Sequence, residues 1–382
     1  MQVLQSQGKT SPYSQKIDKL SSFYRQTKSL FRRPFILFSF FIVTLNCMNI
    51  AATSQEGPVS PKVSCSPVPG DADDPAIWIN EASPADSWVI GTDKKPEGAL
   101  YVWDLEGKVV YKTPRLNRPT NVDVRSGIDI QEKKEDIVVA AVRGTNELKV
   151  YKVDYPKKRL LDITAQEGIP TGFIKDSYGL TLYKEEKTGR LYAFVSSKQG
   201  GDIHGIYLWP NENGQMRGDI VARFGKDDIL TFVEGMVTDD RRRHLYCADE
   251  DHGLIKYHLS PGLGHIEKLT VLAKRDGIVG DREGVSLYDC PHKKGYLLLS
   301  NQESSNVKIY QREGHNAFVG TLETKGATKT DGIASTSHNL GPAFPEGILV
   351  AHNDAGKNFV IYDWRQIRQA LDLPNCFAEN RH

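Results

Sequence analysis

Cysteine, methionine and tryptophan are scarce in this chain of 382 residues, at five, four and five copies. The cysteines (Cys47, Cys65, Cys247, Cys290, Cys376) stand too far apart for paired zinc-ligand spacing, which excludes a zinc-built scaffold. Helical periodicity is nearly absent: only WRQIRQALDL, residues 364–373, has it. A barrel of alternating strands and helices is therefore excluded. The longest apolar run, FILFSFFIVTLNCMNI over residues 35–50, is shorter than the roughly 20 residues that a spanning helix prefers. Net charge is only +1, and it is uneven. Residues 1–52 hold seven bases and one acid, Asp18; 49 less 7 and 48 less 1 leave 42 basic against 47 acidic residues downstream, a net of −5. That balance excludes a basic nucleic-acid binder.

What the first segment does contain is Arg32-Arg33-Pro34, the apolar run, and then AATS. This is the order of a signal peptide, with cleavage near Ala52 or Ser54. Residues 1–54 are expected to be this leader, with an uncleaved membrane anchor as the alternative; 55–373 form the folded domain and 374–382 a tail. Cys47 in TLNC lacks the small residue that precedes a lipoprotein cysteine. Export is the reading, with no stable membrane insertion once the leader is gone, and the chain is expected to be a monomer. The four remaining cysteines permit two disulfides in three connectivities, or free thiols in a core large enough to need no staple.

A repeat runs through the rest. DDPAIW is followed by the runs WVIG and ALYVW, and the same order recurs from NVDVR, YGLTLY, EGMVTDD, EGVSLY and DGIAST. The units open at 74, 122, 179, 235, 284 and 332, in steps of 48, 57, 56, 49 and 48. Each holds short β-rich runs separated by Gly, Asn, Asp and Pro turns. Units near 50 residues with about four strands are propeller blades. The fold is read as all-β: a six-bladed β-propeller with four-stranded antiparallel blades.

In a propeller the first strand of every blade lines the central channel, so equivalent residues form rings. The first ring is Asp74, Asn121, Tyr178, Glu234, Glu283 and Asp331. A second follows the next strand of each blade: Lys94 and Lys95, Arg143, Lys198, then Asp249-Glu250-Asp251, Gln302, and Asn353-Asp354. Blades one to three supply cations; blades four to six supply mostly carboxylates and amides. Clustered hard oxygens suit Ca²⁺, which takes six to eight of them. Transition metals fit less well, because no His or Cys joins the rings. The basic half suits a phosphate or another polyanion.

With these residues in place, the chain resembles the β-propeller phytases, calcium-dependent phytate hydrolases of the 3-phytase type, over roughly residues 70–365. The likeness rests on DADDPAIW, TDKK, NVDVR, YGLTLY-x₄-TGRLYAFVSSK, EGM-x₂-DD-x₄-LYCADED, DREGVSLY and TDGIA, in order and at blade spacing. The resemblance implies several Ca²⁺ ions, with ligands at Asp74, Glu234, Glu250, Asp281, Glu283, Gln302 and Asp331. It implies phosphate contacts from Lys94, Arg143, Tyr178 and Lys198, with Lys95 beside them. Asn121 and Asp123 match a position near another calcium. Asp74, Lys94, Arg143, Tyr178, Lys198 and Glu234 form the expected catalytic set for attack by metal-activated water on phytate.

Three positions depart from the family pattern. Lys325 replaces an expected aspartate in ETKGATKTDG, and there its ammonium is expected to occupy the vacated metal position, the alternative being that it swings out to solvent and leaves a weaker calcium site; Lys329 and Gln199 also replace acids. Other phosphatase chemistries lack their motifs: there is no C-x₅-R loop at Cys247 and no G-x-S-x-G elbow, and His244 reads as a surface residue. Two rivals stand beside the phosphatase reading. One is a calcium-dependent lactonase or esterase on the same fold, the other a propeller that captures phosphorylated ligands without turnover.

Overall fold

The computed structural model describes residues 57–377. The expected leader, residues 1–54, and the last five residues of the expected tail lie outside them. Six antiparallel sheets follow one another along the chain, and the propeller reading holds. The innermost strands are Ala72–Trp78, Pro119–Ile130, Ser177–Lys184, Val233–Asp239, Arg282–Asp289 and Ile333–Thr336. Five blades have four strands; in the second, Arg159–Asp162 and Ile169–Pro170 share the outermost position. Apolar runs occupy inner strands because both faces are covered by neighbouring blades. Between blades three and four, for example, Tyr183, Phe194, Leu245 and Tyr257 pack into one buried cluster.

Closure of the ring was not legible. The outermost strand of blade six is Val63–Ser64, from before the first repeat, with Val63 opposite Ile361 and Ser64 opposite Val360. Two residues have no readable period, so pairing across the whole chain leaves no local signal. The helix spans Trp364–Ala370, three residues shorter than its pattern, with Asp363 capping Arg365 N at 3.1 Å. Trp364 stacks on Tyr288 at 3.5 Å between centroids. Cys290 and Cys376 form a disulfide that ties the segment after the helix to blade five, whereas Cys65 and Cys247 are buried thiols. Burial pushes the Cys65 thiol up to about 12, so it is inert.

One local feature positions the site. In five blades the inner strand carries one extra residue at the mouth end. Ala72 faces Asp93 but Pro75 faces Gly91, and the other four repeat this offset of three residues against two. Such a bulge breaks the ladder and re-aims side chains. Asp73 and Asp74, Asn121, Tyr178, Glu234 and Glu283 all lie inside these bulges. Blade six lacks one; there Asp331 N donates to His352 Nδ1 at 3.0 Å instead.

Candidate active site

The bulged strands converge at close quarters. A Cβ on Gly235 would lie 1.8 Å from the Glu283 carbonyl, and one on Gly332 2.4 Å from Asp74 Oδ1. Glycine after the ring residue therefore lets neighbouring inner strands touch, and it crowds the acids they carry. Glu234, Glu250 and Glu283, all buried, each place an oxygen within 4.8 Å of the other two. Beside them Lys94 Nζ bonds Asp73 Oδ1 at 2.7 Å and Asp331 Oδ2 at 3.0 Å, while the Gln302 amide donates to Asp331. Arg282, itself buried, fixes the Glu250 main chain by donating to its carbonyl at 3.0 Å.

The basic half is equally ordered. Lys198 Nζ donates to Tyr178 Oη at 3.0 Å and sits 4.5 Å from that ring's centroid. Arg143 also covers the Tyr178 ring, at 5.5 Å. Its Nε and Nη2 both donate to Asp176 Oδ1, at 3.0 and 2.8 Å. Gln199, one of the departures, bonds the other Asp176 oxygen at 2.8 Å, so it steadies the arginine's partner.

The electrostatics follow from crowding. Burial, then the charge of Glu234, holds Asp73 well above the usual carboxylate range, and burial with Glu234 and Glu250 does the same to Glu283. Burial likewise raises Glu234. It pushes Glu250 from 4.5 up to about 7, with Lys198 opposing and Glu234 and Asp281 adding. Burial by itself would lower Lys94; Asp73, Asp331 and Glu234 outweigh it and keep the ammonium protonated. Burial and the three glutamates hold the Tyr178 phenol far above its usual value, so it remains a donor.

These buried acids have too few partners. Glu250 Oε1, Glu283 Oε2, Asp73 Oδ2 and Asn121 Oδ1 are buried without any hydrogen bond. Leaving a buried polar atom unpaired costs about 1–3 kcal/mol, more if charged. Of these atoms, Glu250 Oε1 and Glu283 Oε2 belong to the three-glutamate cluster, where gathered acceptors suit a hard cation. Without that cation, stability depends on protonation. A carboxyl whose folded pKa is raised stabilises fully below its unfolded value and loses that contribution as pH rises through the folded value. For Glu250 the window runs from 4.5 to about 7. Asp331 has the opposite sign, because His352, Lys94 and the Gln302 amide together overcome its burial and lower its pKa; its window lies below the ordinary carboxylate value. Cation-free protein should therefore melt progressively lower from pH 5 to pH 8, a slope that scanning calorimetry would read and that added calcium should flatten.

Other expected residues fall elsewhere. Asp74 Oδ2 accepts from Val122 N at 3.1 Å, turned toward the channel. Asp123 lies deeper, its carboxylate held by Arg125 at 3.0 Å, Thr181 at 3.0 Å and Leu182 N at 2.8 Å. Both line a channel cavity of about 260 Å³ with Asn121 and Arg125. The Asp281 carbonyl accepts from Gln302 N at 3.3 Å, and its carboxylate is near enough to Glu250 to help raise it. Lys95 is exposed on Asp71 at 2.8 Å. In the second ring the Asp249 carboxylate is taken up locally, accepting from Leu230 N at 2.7 Å and from the Thr231 hydroxyl.

Three expectations are corrected. Lys325 does not fill a metal position: it is exposed, and its main chain bonds Val59 and Tyr362. Lys329 is exposed as well. A histidine does stand at the rings, since buried His352 anchors Asp331. His244 is half-buried, and burial pushes it down to about 4. The sequence reading also missed Asp73 and Arg125, although both sit in quoted motifs. The one available sign was nearness in sequence: Asp73 adjoins the ring residue Asp74, and Arg125 stands two residues after Asp123.

Comparison with known proteins agrees with this geometry. The phytase family model matches residues 35–378. The 3-phytase of Bacillus subtilis (strain 168) is 36% identical over 327 residues, covering 81% of this chain and 83% of that protein. Among solved structures, the Cps50 (Swd1) β-propeller domain of Myceliophteria thermophila aligns over 76% of this chain and 83% of its own, at 10% identity and a TM-score of 0.46. BBS1N, solved in complex with ARL6DN, aligns over 75% and 77% at 12% identity and a TM-score of 0.43. Those two likenesses are too distant to bear on chemistry. The family match and the Bacillus relative settle the affiliation: this chain belongs to the phytase family of enzymes.

Proposed function

We propose that this chain hydrolyses phytate at the channel mouth with calcium bound among its buried acids. The observation that supports this most is the buried three-glutamate cluster, with partnerless oxygens on Glu250 and Glu283, in a mouth that also carries three ordered cations. Glu234, Glu250, Glu283, Asp73 and Asp331 would hold the metal, with Gln302 and Asn121 as neutral oxygen donors. Bound Ca²⁺ supplies positive charge against phosphate oxygens and acidifies coordinated water.

The chain's own residues do the rest. Arg143 keeps Nη1 free for a phosphate oxygen, because Asp176 takes its other two donors. Lys198, steered by Tyr178, and Lys94 place fixed ammonium groups where charge spreads over the transferring group. Tyr178 stays protonated, so it donates and does not attack. No thiol lies in the described mouth, and attack falls to water. The chain would be exported and would act as a monomer, on a small-molecule substrate and without nucleic acid.

The test is phosphate release from phytate by the parent and by Arg143→Ala. The variant should lose about 1.5–3 kcal/mol of charge-assisted binding, seen as a higher KM and a lower kcat, with unchanged calcium-linked melting. A parent that binds phytate without release favours the capture rival, and one that cleaves lactones but not phytate favours the lactonase.

A further inference from the structure

Arg143 and Lys198 belong to neighbouring blades, and Asp176 holds both. Its carboxylate takes Arg143 Nε and Nη2, and its carbonyl accepts from Lys198 N at 2.9 Å. The spacing of the two cations therefore depends on where Asp176 stands. Its φ is +59°, a left-handed backbone that the surrounding structure must hold. Yet the connection that delivers it, residues 171–176 between blades two and three, is poorly covered: Ile174 is 98% exposed and Lys175 is exposed. Phe173 is the apolar side chain of this loop that packs inward, against the cluster between those blades. Its ring lies flat on the His204 imidazole, with 3.9 Å between centroids and 7° between planes.

His204 stands on the third strand of blade three, Ile203–Pro210, and is only 5% exposed. Its Nδ1 lies 2.8 Å from the Thr171 carbonyl; a carbonyl only accepts, so Nδ1 carries the proton and donates. A Cβ on Gly172 would lie 2.9 Å from that same nitrogen, so the main chain of the loop runs directly along the imidazole. Thr171 Oγ1 in turn donates to the Asn146 carbonyl at 2.9 Å and meets Ser177 Oγ at 2.7 Å, while Asn146 Oδ1 accepts from Ser177 N at 2.9 Å. Both ends of the loop are thus drawn together, with Asp176 at one of them. Packing of blade three gains nothing from an imidazole here, since burial of the ring is costly and lowers its pKa. What a histidine adds over an aliphatic residue is a flat face for Phe173 and an N–H for Thr171.

We propose that His204 and Phe173 are positioning residues of the phosphate half: stacked on each other, they clasp the loop that sets Asp176, and Asp176 sets Arg143 and Lys198 for a phosphate. The proposal rests on the phytase reading and extends it to two side chains that act only through Asp176. A displacement of about 1 Å at a positioning group is enough to cost about 100-fold in rate. A slack clasp should therefore show in catalysis while the fold survives.

The test measures kcat and KM for phytate, with calcium, on the full chain and on Phe173→Ala, Phe173→Tyr, His204→Asn and Arg143→Ala. Phe173→Ala and His204→Asn are also each combined with Arg143→Ala, and every protein is melted with and without calcium. Phe173→Ala should lose about tenfold in kcat/KM, mostly through KM, and no more than Arg143→Ala loses. Phe173→Tyr keeps the stacked ring and should stay near the parent. His204→Asn keeps an N–H for Thr171 without the flat face, and should fall between the two. The deciding comparison is the double variant. With Arg143 gone, Phe173→Ala should cost nothing further, because members of one network couple whereas independent sites add. The calcium-linked rise in melting temperature should match the parent's throughout. A Phe173→Ala loss that repeats in full on the Arg143→Ala background, or a smaller calcium-linked rise, marks general packing and overturns the proposal. Phe173→Ala with the parent's kinetics overturns it too. If Phe173→Ala does not fold, His204→Asn is read through the same cycle by the same criteria. A parent that releases no phosphate overturns the phytase reading, and the proposal with it.

Discussion

Glu234→Gln should abolish most phosphate release, by about 100-fold or more, while leaving the cation-free protein as stable as the parent or more so. The two halves of this result have one cause. Glu234 is buried within reach of Glu250 and Glu283, and its charge raises the pKa of both Asp73 and Glu283. Glutamine keeps the volume and removes one like charge, so the metal-free mouth is relieved of repulsion. The same change removes a charged oxygen from the cation's shell and weakens calcium binding. Melting curves with chelator and with calcium, run beside the activity assay, separate the effects. A variant that melts lower in chelator but keeps its phosphate release would mean that Glu234 is a packing residue.

Lys94→Met should move the stability of the cation-free protein the other way. Lys94 is the cation that Asp73 and Asp331 share, with Asp73 almost completely buried. Removing one partner of a buried pair costs about 3–5 kcal/mol because it strands a charge. Lys94 is one-third exposed, so about 2–3 kcal/mol is the expected loss after allowing for solvent screening. The cation-free protein should melt several degrees lower at pH 8, and less so at pH 5, where Asp73 can take a proton. Calcium should recover part of the stability by neutralising the same oxygens, but activity should stay low for want of the phosphate contact. Equal melting of parent and variant at pH 8 would show that Asp73 does not depend on Lys94.

Much of this was legible in the sequence because a propeller repeats. Six inner strands begin with Asp, Asn, Tyr, Glu, Glu and Asp at blade spacing, and the fold turns linear period into angular position. The close approach of neighbouring inner strands was also written there, as the glycine of YGLTLY, EGMV and EGVSL, whereas the bulges needed the register. What stayed hidden depends on contacts between blades. Asp73 and Asp74 are neighbours, yet one meets Lys94 and the other turns to Val122. Asp123 was expected near a calcium; that Arg125, two residues on, holds its carboxylate could not be read from the pattern. His352 acts through a ring nitrogen on a main-chain N–H, which no residue pattern announces. Lys325 shows the limit of residue-by-residue transfer: a loop position can match in sequence while its side chain leaves for solvent. The closing strand and the Cys290–Cys376 link join distant segments and carry no local signal.

The central claim is that the partnerless oxygens at the mouth are a calcium site on which fold and activity both depend. It is tested most directly by melting the protein and assaying phytate hydrolysis in excess chelator, then restoring calcium stepwise. A ligand that binds only the native state stabilises by about 2.7 kcal/mol at a hundredfold its Kd. The melting temperature and phosphate release should therefore fall together in chelator and rise together with calcium. Magnesium should restore little, because it demands tighter octahedral geometry. Unchanged melting and undiminished hydrolysis in excess chelator would contradict the account.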